Sequence, residues 1–364
     1  MSFAFGERLR TAFAPPRYLA LSLSGIDLST SGVKAVSLVE DACGLTLASC
    51  AETRLPAGAF IDGEIVDRAA VAEALTAASR AADISAANVA LPESKSFLFE
   101  TTASGATMME WRTAIEQHLD ELIPLPPQET DFDIVEIGKN GAETLIVGVG
   151  FAQRIVDDTL FLFDQIHIPV HELEGETFAM ARALLPIGDT STVLIIDIGK
   201  TTTKISIVVG RIPRFATTIG IGGHALTLAV QKYFGVTEIE ARKVKSERGI
   251  ISAPGNEEYL AAMLPTVSAI RDEISLRLNY WQGKAVQDGT HEPVSHAILV
   301  GGNASVRGLP EYLEGLLQIP VVVGDVFTNL SSRDRWIPQL DYTESLAYAT
   351  AIGLALYDHA QPYA

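Results

Sequence analysis

Asp27 and Lys34 stand seven residues apart, separated by Leu28-Ser29-Thr30-Ser31-Gly32-Val33. An acid ending one apolar run, a turn of small hydroxylated residues and glycine, and a base inside the next apolar run describe a strand hairpin. Its tip can aim several backbone N–H groups at one point, which is an anion site. The spacing recurs: Asp197, then Ile198-Gly199-Lys200-Thr201-Thr202-Thr203, then Lys204, with each member displaced by 170 residues. One such hairpin reads equally as an ordinary type I′ turn with a capping Asp. Two at matched offset read as a repeat in a chain of two related halves. Closing from opposite sides, the tips would hold a polyphosphate. Asp27 and Asp197 would hold Mg²⁺ mostly through water, because that ion keeps much of its hydration shell and prefers carboxylate and phosphate oxygens.

Other groupings carry less. Gly199-Lys200-Thr201 looks like the end of a Walker A loop, but that pattern needs Gly where Leu194 stands and a helix where a strand follows. Gly220-Ile221-Gly222-Gly223 precedes a helix, and both a helix N-terminus facing phosphate and a plain tight turn fit it. Gly301-Gly302-Asn303 at a strand end would let a flat ring approach the backbone, or is simply a turn. His167 and His171 lie near Glu172, Glu174 and Glu176, but Pro169 stops the histidines from sharing a helix face. Gly-x-Ser-x-Gly and His-Glu-x-x-His are both missing, so neither hydrolase class is supported.

The elements that must position these residues follow from composition and periodicity. The chain is long enough for two domains with separate cores. Its formal net charge of −18 argues against broad nucleic-acid binding, so a phosphate site must be local. Cys43 and Cys50 exclude a disulfide framework and a Cys-rich metal site; both are expected as buried thiols in a reducing compartment. No apolar run approaches the ~20 residues of a membrane span. Residues 1–17 read as a leader with no signal-peptide core, disordered or, through Phe3, Phe5, Leu9 and Phe13, amphipathic.

After the first hairpin, which opens with the apolar run from Tyr18, the pattern predicts a strand over 45–54, a helix over 68–82 and a strand over 88–91. A section from 94 to 168 then reads as an inserted β-α-β-β-α unit: strand 96–101, helix 108–122, strands 131–137 and 144–151, and the amphipathic stretch 153–166. A short strand at Ile168-Pro169-Val170 and a helix over 176–185 return to the first half. The second hairpin leads to a strand over 214–219 and helices over 225–234, 238–247 and 257–281. Strand 297–300, helix 309–317, strand 321–323 and an Ala-rich helix over 343–356 close an α/β chain with a mixed sheet in each half.

These elements in this order resemble the actin-like ATPase superfamily, with a phosphate-1 hairpin at Asp27, a phosphate-2 hairpin at Asp197 and an adenosine turn at Gly301-Gly302. Within it the chain resembles the PilM family of type IV pilus assembly proteins, related to the cell-division protein FtsA. The resemblance runs from Gly25 to Tyr357 and rests also on Glu176-Thr177-Phe178-Ala179-Met180-Ala181-Arg182-Ala183-Leu184, Ile219-Gly220-Ile221-Gly222-Gly223, Gly301-Gly302-Asn303 through Gly308-Leu309-Pro310, and the helix over 347–356.

It implies an actin-like (ribonuclease H-like) fold of two related domains with a 1C-type inserted subdomain. The implied division is 1A at 18–93 and 169–188, 1C at 94–168, 2A at 189–225 and 292–342, 2B at 226–291, and a C-terminal helix at 343–364. It implies ATP and Mg²⁺ as cofactors. Ser29, Thr30, Ser31 and Lys34 would contact phosphate from one side, and Gly199, Lys200, Thr201 and Thr202 from the other. Gly222, Gly223, Lys245, Gly301, Gly302 and Asn303 would line the rest of the nucleotide site, and Glu176 would lie near an attacking water.

The implied role is a cytoplasmic scaffold, at most a slow ATPase, held at the inner membrane by a PilN-like partner whose N-terminal tail enters the 1A/1C groove. Self-association is allowed and nucleic acid is not a partner. Rival readings are an FtsA-like filament protein, which predicts an amphipathic helix after the terminal one where this chain reaches Pro362-Tyr363-Ala364, and a small-molecule kinase, for which no catalytic base can be named. Three residues depart from the family pattern: Lys200 where a small residue is usual, Lys204 where a polar or acidic one is commoner, and Arg242 where relatives often have Glu.

Overall fold

The computed structural model describes residues 23–359 apart from 142 and 289–290, so the leader at 1–17 and the start of the opening apolar run lie outside the described residues. β1 (Leu23–Ser29) and β2 (Gly32–Asp41) form the first hairpin, in a register that sets Asp27 directly opposite Lys34. β3 (Gly44–Arg54) extends the sheet. A minor hairpin of β4 (Phe60–Ile61) and β5 (Glu64–Ile65) precedes α1 (Arg68–Ala81). The Asp67 side chain caps α1 by accepting from the Ala70 N–H at 3.1 Å. β6 (Ala87–Leu91) then pairs parallel with β1.

The inserted section follows as β7 (Phe97–Ala103), α2 (Met108–Glu116), α3 (Leu119–Leu122), β8 (Thr130–Asn140), β9 (Glu143–Ala152) and α4 (Gln153–Gln165). Its sheet runs β7-β9-β8, and Trp111, Ile115, Leu119 and Ile123 pack on Phe99, Phe132, Ile134 and Ile146 in a small core of its own. The helix expected over 108–122 is therefore two pieces, broken at Gln117–His118. The chain rejoins the first sheet through β10 (Val170–Gly175) and α5 (Glu176–Leu184). The strand expected at 168–170 starts only at Val170. Pro169 has no N–H for a ladder, and its carbonyl accepts from the Ala87 N–H at 3.0 Å.

The second half repeats the first. β11 (Thr192–Ile198) and β12 (Thr203–Val209) set Asp197 directly opposite Lys204, and β13 (Ile212–Ile219) continues the sheet. Next come α6 (Gly223–Phe234), α7 (Glu238–Arg248) and α8 (Glu257–Asp288), the last running beyond its expected end at Trp281. β14 (His296–Val300), α9 (Leu309–Leu317) and β15 (Val321–Val323) follow. The terminal helix is not continuous: α10 (Tyr342–Ser345), a 3₁₀ turn at Leu346–Tyr348 and α11 (Ala349–Ala355) replace it. The two main sheets have equivalent orders, β3-β2-β1-β6-β10 and β13-β12-β11-β14-β15. The internal repeat read from two hairpins thus extends through all five strands.

α5 and α11 pack together where the halves meet, sharing one apolar core with Val36, Val193, Ile195, Ile298 and Val300. Their small residues permit a close approach: a Cβ on Gly353 would fall 1.8 Å from the Ala179 carbonyl oxygen. Both cysteines are only half-buried, correcting the expectation of buried thiols, because Cys43 sits in the β2–β3 turn and Cys50 on the flank of β3. Among the described residues no helix is long and apolar enough to cross a membrane.

Candidate functional site

The hairpin tips converge on a cavity of about 480 Å³ between the halves. Each tip sits where a strand pair ends, and in the second the Gly199 N–H is given to the Thr202 carbonyl at 3.0 Å. The tips also touch across it, with Thr30 Oγ1 and Thr201 Oγ1 2.8 Å apart. Asp27, Ser29, Thr30, Ser31, Lys34, Asp197, Gly199, Lys200, Thr202, Gly223, Lys245, Gly301, Gly302 and Asn303 all line the cavity.

Three of the expected site residues do not line it. Thr201 is spent on the bridge to Thr30. Gly222 backs onto the turn of the second hairpin, where a Cβ would fall 2.7 Å from Thr201 backbone. Glu176 lies behind Lys204 with 3 % of its surface exposed. The start of α6 is equally occupied: the Gly223 N–H donates to the Gly199 carbonyl at 2.9 Å and the His224 N–H to the Lys200 carbonyl at 2.8 Å. The glycine run therefore works as a turn that braces the tip of the second hairpin.

At the far end, Asn303 organises the pocket. Its Nδ2 donates to the Gly199 carbonyl at 2.9 Å, and its Oδ1 accepts from Lys245 Nζ at 2.7 Å. Burial, with Arg242 alongside, pulls the Lys245 ammonium down to about 8. Gly301 has a φ of +92°, and a Cβ there would meet Asp197 Oδ1 at 2.2 Å, so only glycine lets this turn lie against the aspartate.

The electrostatics of the cavity invert those of the chain. Lys34, Arg54, Lys200, Lys204, Arg242 and Lys245 line it against Asp27, Glu52 and Asp197, within a chain whose net charge is −18. Asp27 is buried and its Oδ1 has no hydrogen-bond partner. Burial raises its carboxyl above the ordinary range against the pull of Lys34 and Lys204. Lys204 Nζ stands 2.8 Å from Glu176 Oε2 and 3.4 Å from Asp197 Oδ2. Burial would lower this ammonium, but Glu176, Asp197 and Asp27 outweigh it and hold it above the ordinary lysine range. Burial pushes Glu176 up to about 7 against the pull of Lys204.

These residues fit a nucleotide: two hydroxyl-rich turns, a surplus of cations and a glycine turn open to a flat ring. The orphaned Asp27 oxygen fits a cation or its water. Asp197 fits a cation less well, since Lys204 already engages one of its oxygens.

Arg54, His224, Ser246 and Thr350 also line the cavity and were not anticipated. Arg54 could have been found from the repeat. It pairs with Gly32 at the end of β3, the place where Ile219 at the end of β13 leads into the glycine turn. His224 directly follows that turn, whereas Ser246 and Thr350 carry no local signal.

A second cavity, of about 370 Å³, lies between the inserted sheet and the first half. Phe132, Val147, Val149 and Phe151 face Leu91, Leu173 and Phe178 across it, and Asp131, Asp133, Glu172 and Glu174 line it as well. One wall is stiffened by Arg182, which makes a two-pronged bond to Glu174 at 2.5 and 2.7 Å.

Two α/β halves of equivalent sheet order, joined at α5 and α11 and closing paired hairpins on one basic cavity, define an actin-like ATPase fold. Residues 25–359 match the family described as type IV pilus assembly protein PilM, and the chain belongs to that family. It is also 25 % identical over 186 residues to the cell division protein FtsA of Borreliella burgdorferi. That match covers 46 % of this chain and 43 % of the relative, less than half of its length. Among solved structures it is similar to a PilM–PilN type IV pilus biogenesis complex (18 % identity, 92 % of this chain and 97 % of that one, TM-score 0.73). It is similar also to MreB5 of Spiroplasma citri bound to AMPPNP (15 % identity, 94 % and 97 %, TM-score 0.54). At these identities the likeness concerns the fold.

Proposed function

We propose that this chain is an ATP-binding, actin-like scaffold of a type IV pilus or related secretion assembly machine. The observation that carries the nucleotide reading is the inverted charge of the cavity: six bases against three acids in a strongly acidic chain. Such a local cationic focus, framed by turns rich in N–H and hydroxyl donors, suits a polyphosphate. Ser29, Thr30, Ser31 and Lys34 would hold it from the first half, and Gly199, Lys200 and Thr202 from the second. Lys245 and Gly301 to Asn303 would take the nucleoside. Asp27 would hold Mg²⁺ or its water beside the phosphates. A ligand touching both tips favours the closed arrangement of the halves and can serve as a conformational switch.

The apolar cavity beside the inserted sheet supports the second part of the reading. It would receive the short cytoplasmic N-terminal tail of a PilN-like inner-membrane protein, which would place this chain at the cytoplasmic face of that membrane. Support comes from membership of the PilM family and from the likeness to a PilM that is complexed with PilN.

Calorimetry with ATP tests the nucleotide site, and no heat of binding in the wild type would refute it. Pull-down with a tail peptide tests the groove. Capture by the wild type and loss in Val149→Arg, at unchanged melting temperature, is the expected result; no capture by the wild type sinks the scaffold reading.

A further inference from the structure

The two hairpins match in sequence, but their lysines do different things. Lys34 Nζ donates to Ser31 Oγ of its own turn at 3.3 Å. Lys204 turns the other way, into the acids, lying 2.8 Å from Glu176 Oε2 and 3.4 Å from Asp197 Oδ2, with Asp27 within electrostatic reach. The carboxylates suited to carrying a divalent ion and positioning a water thus already share a cation built into the chain.

Two consequences follow from charge and geometry. A divalent ion on Asp197 would face the Lys204 ammonium at ion-pair distance, like charge against like in a poorly hydrated place. Glu176 is held by two donors: its Oε2 takes both Lys204 and the Glu93 backbone N–H, the latter at 3.1 Å. Glu93 in turn accepts from the Thr177 N–H and hydroxyl at 3.1 and 2.6 Å, which pins the start of α5. Glu176 therefore does not line the cavity, and its Oε2 is already held by two donors of the chain.

We propose that Lys204 is the resident cation of this cleft. It stands in for a divalent ion at Asp197 and ties Glu176 away from the ligand. A Mg²⁺ ion or its water at Asp27 then adds little to affinity: the chain holds ATP with or without Mg²⁺ and does not hydrolyse it. This rests on the nucleotide reading above and on the position of Lys204 between Glu176 and Asp197.

Calorimetry of the full chain with ATP, in Mg²⁺ and in EDTA, separates the two claims. The wild type is expected to bind in both buffers with affinities within about threefold, and Lys204→Arg, which keeps the charge, to behave alike. Lys204→Ser is expected to need Mg²⁺, losing about tenfold or more in EDTA. Should that variant fail to fold, the wild-type comparison and Lys204→Arg still decide. A wild type that loses tenfold in EDTA, or that releases phosphate at a rate abolished by Glu176→Gln, overturns the inference and leaves the nucleotide reading standing. A wild type that binds ATP in neither buffer overturns both.

Discussion

Replacing Lys34 with Met tests the phosphate-1 half of the clamp most directly. Lys34 is 6 % exposed, and among the described residues its ammonium makes one hydrogen bond, to Ser31 at 3.3 Å. An ammonium has three donors, so two remain for a ligand. Met keeps the apolar stem that β2 buries and removes only the charge and the donors. A hydrogen bond to a charged group is worth about 1.5–3 kcal/mol, which corresponds to about 10- to 150-fold in Kd. Calorimetry with ATP should show that loss while the melting temperature moves by a few degrees at most. Asp27, directly opposite, loses a cation that pulls its carboxyl down, so its pKa rises further above the ordinary value. An affinity within about threefold of the wild type, in a folded variant, would refute the placement of phosphate at this hairpin.

Three further outcomes are expected. Gly301→Ala forces a side chain into φ +92° and against Asp197, costing about 1–2 kcal/mol from the backbone alone, and should lower both the melting temperature and ATP affinity. Glu176 titrates near 7 in the folded chain and near 4.5 unfolded, so the native state binds the extra proton between those values. Its contribution to stability therefore falls as pH rises through that window, and Glu176→Gln should flatten the wild-type decline seen by denaturant titration between pH 5 and about 7.5. Arg214 on β13 grips Glu100 on β7 through two bonds of 2.5 and 2.9 Å, tying the insert to the second half. Arg214→Ala should speed hydrogen exchange in β7 and β13, and unchanged protection would show the bond to be dispensable.

Local rules wrote most of the strands. Val33 to Val39 is an apolar run interrupted only by Lys34 and Ser37, so β2 and its hairpin partner were visible without any tertiary information. α9 and β15 have the expected ends, because Gly308-Leu309-Pro310 starts the helix and the run Val321–Val323 is short and apolar. The terminal helix was misread as one piece. Its alanines favour helix, but Leu346 must reach the core of the second half while Ala351 and Ile352 serve the core between the halves, and a 3₁₀ turn reconciles the two directions. The Met108–Leu122 helix broke at Gln117–His118, and both pieces bury their apolar side chains in the one core of the insert.

The amino-acid sequence by itself determined that this protein has two related halves and where their hairpins lie. An acid, a small polar turn and a base at a fixed spacing are local features, and the matched offset of 170 residues makes them a repeat. It also identified half of the residues that line the cavity, since turns at strand ends must face the same edge of a sheet. The tertiary structure alone decided which of those residues remain open to a ligand. Thr201 meets Thr30, and Lys204 meets Glu176 from the start of α5. Those partners are 171 and 28 residues apart in the chain. No spacing rule reaches across them, because the contact depends on how the halves pack along α5 and α11.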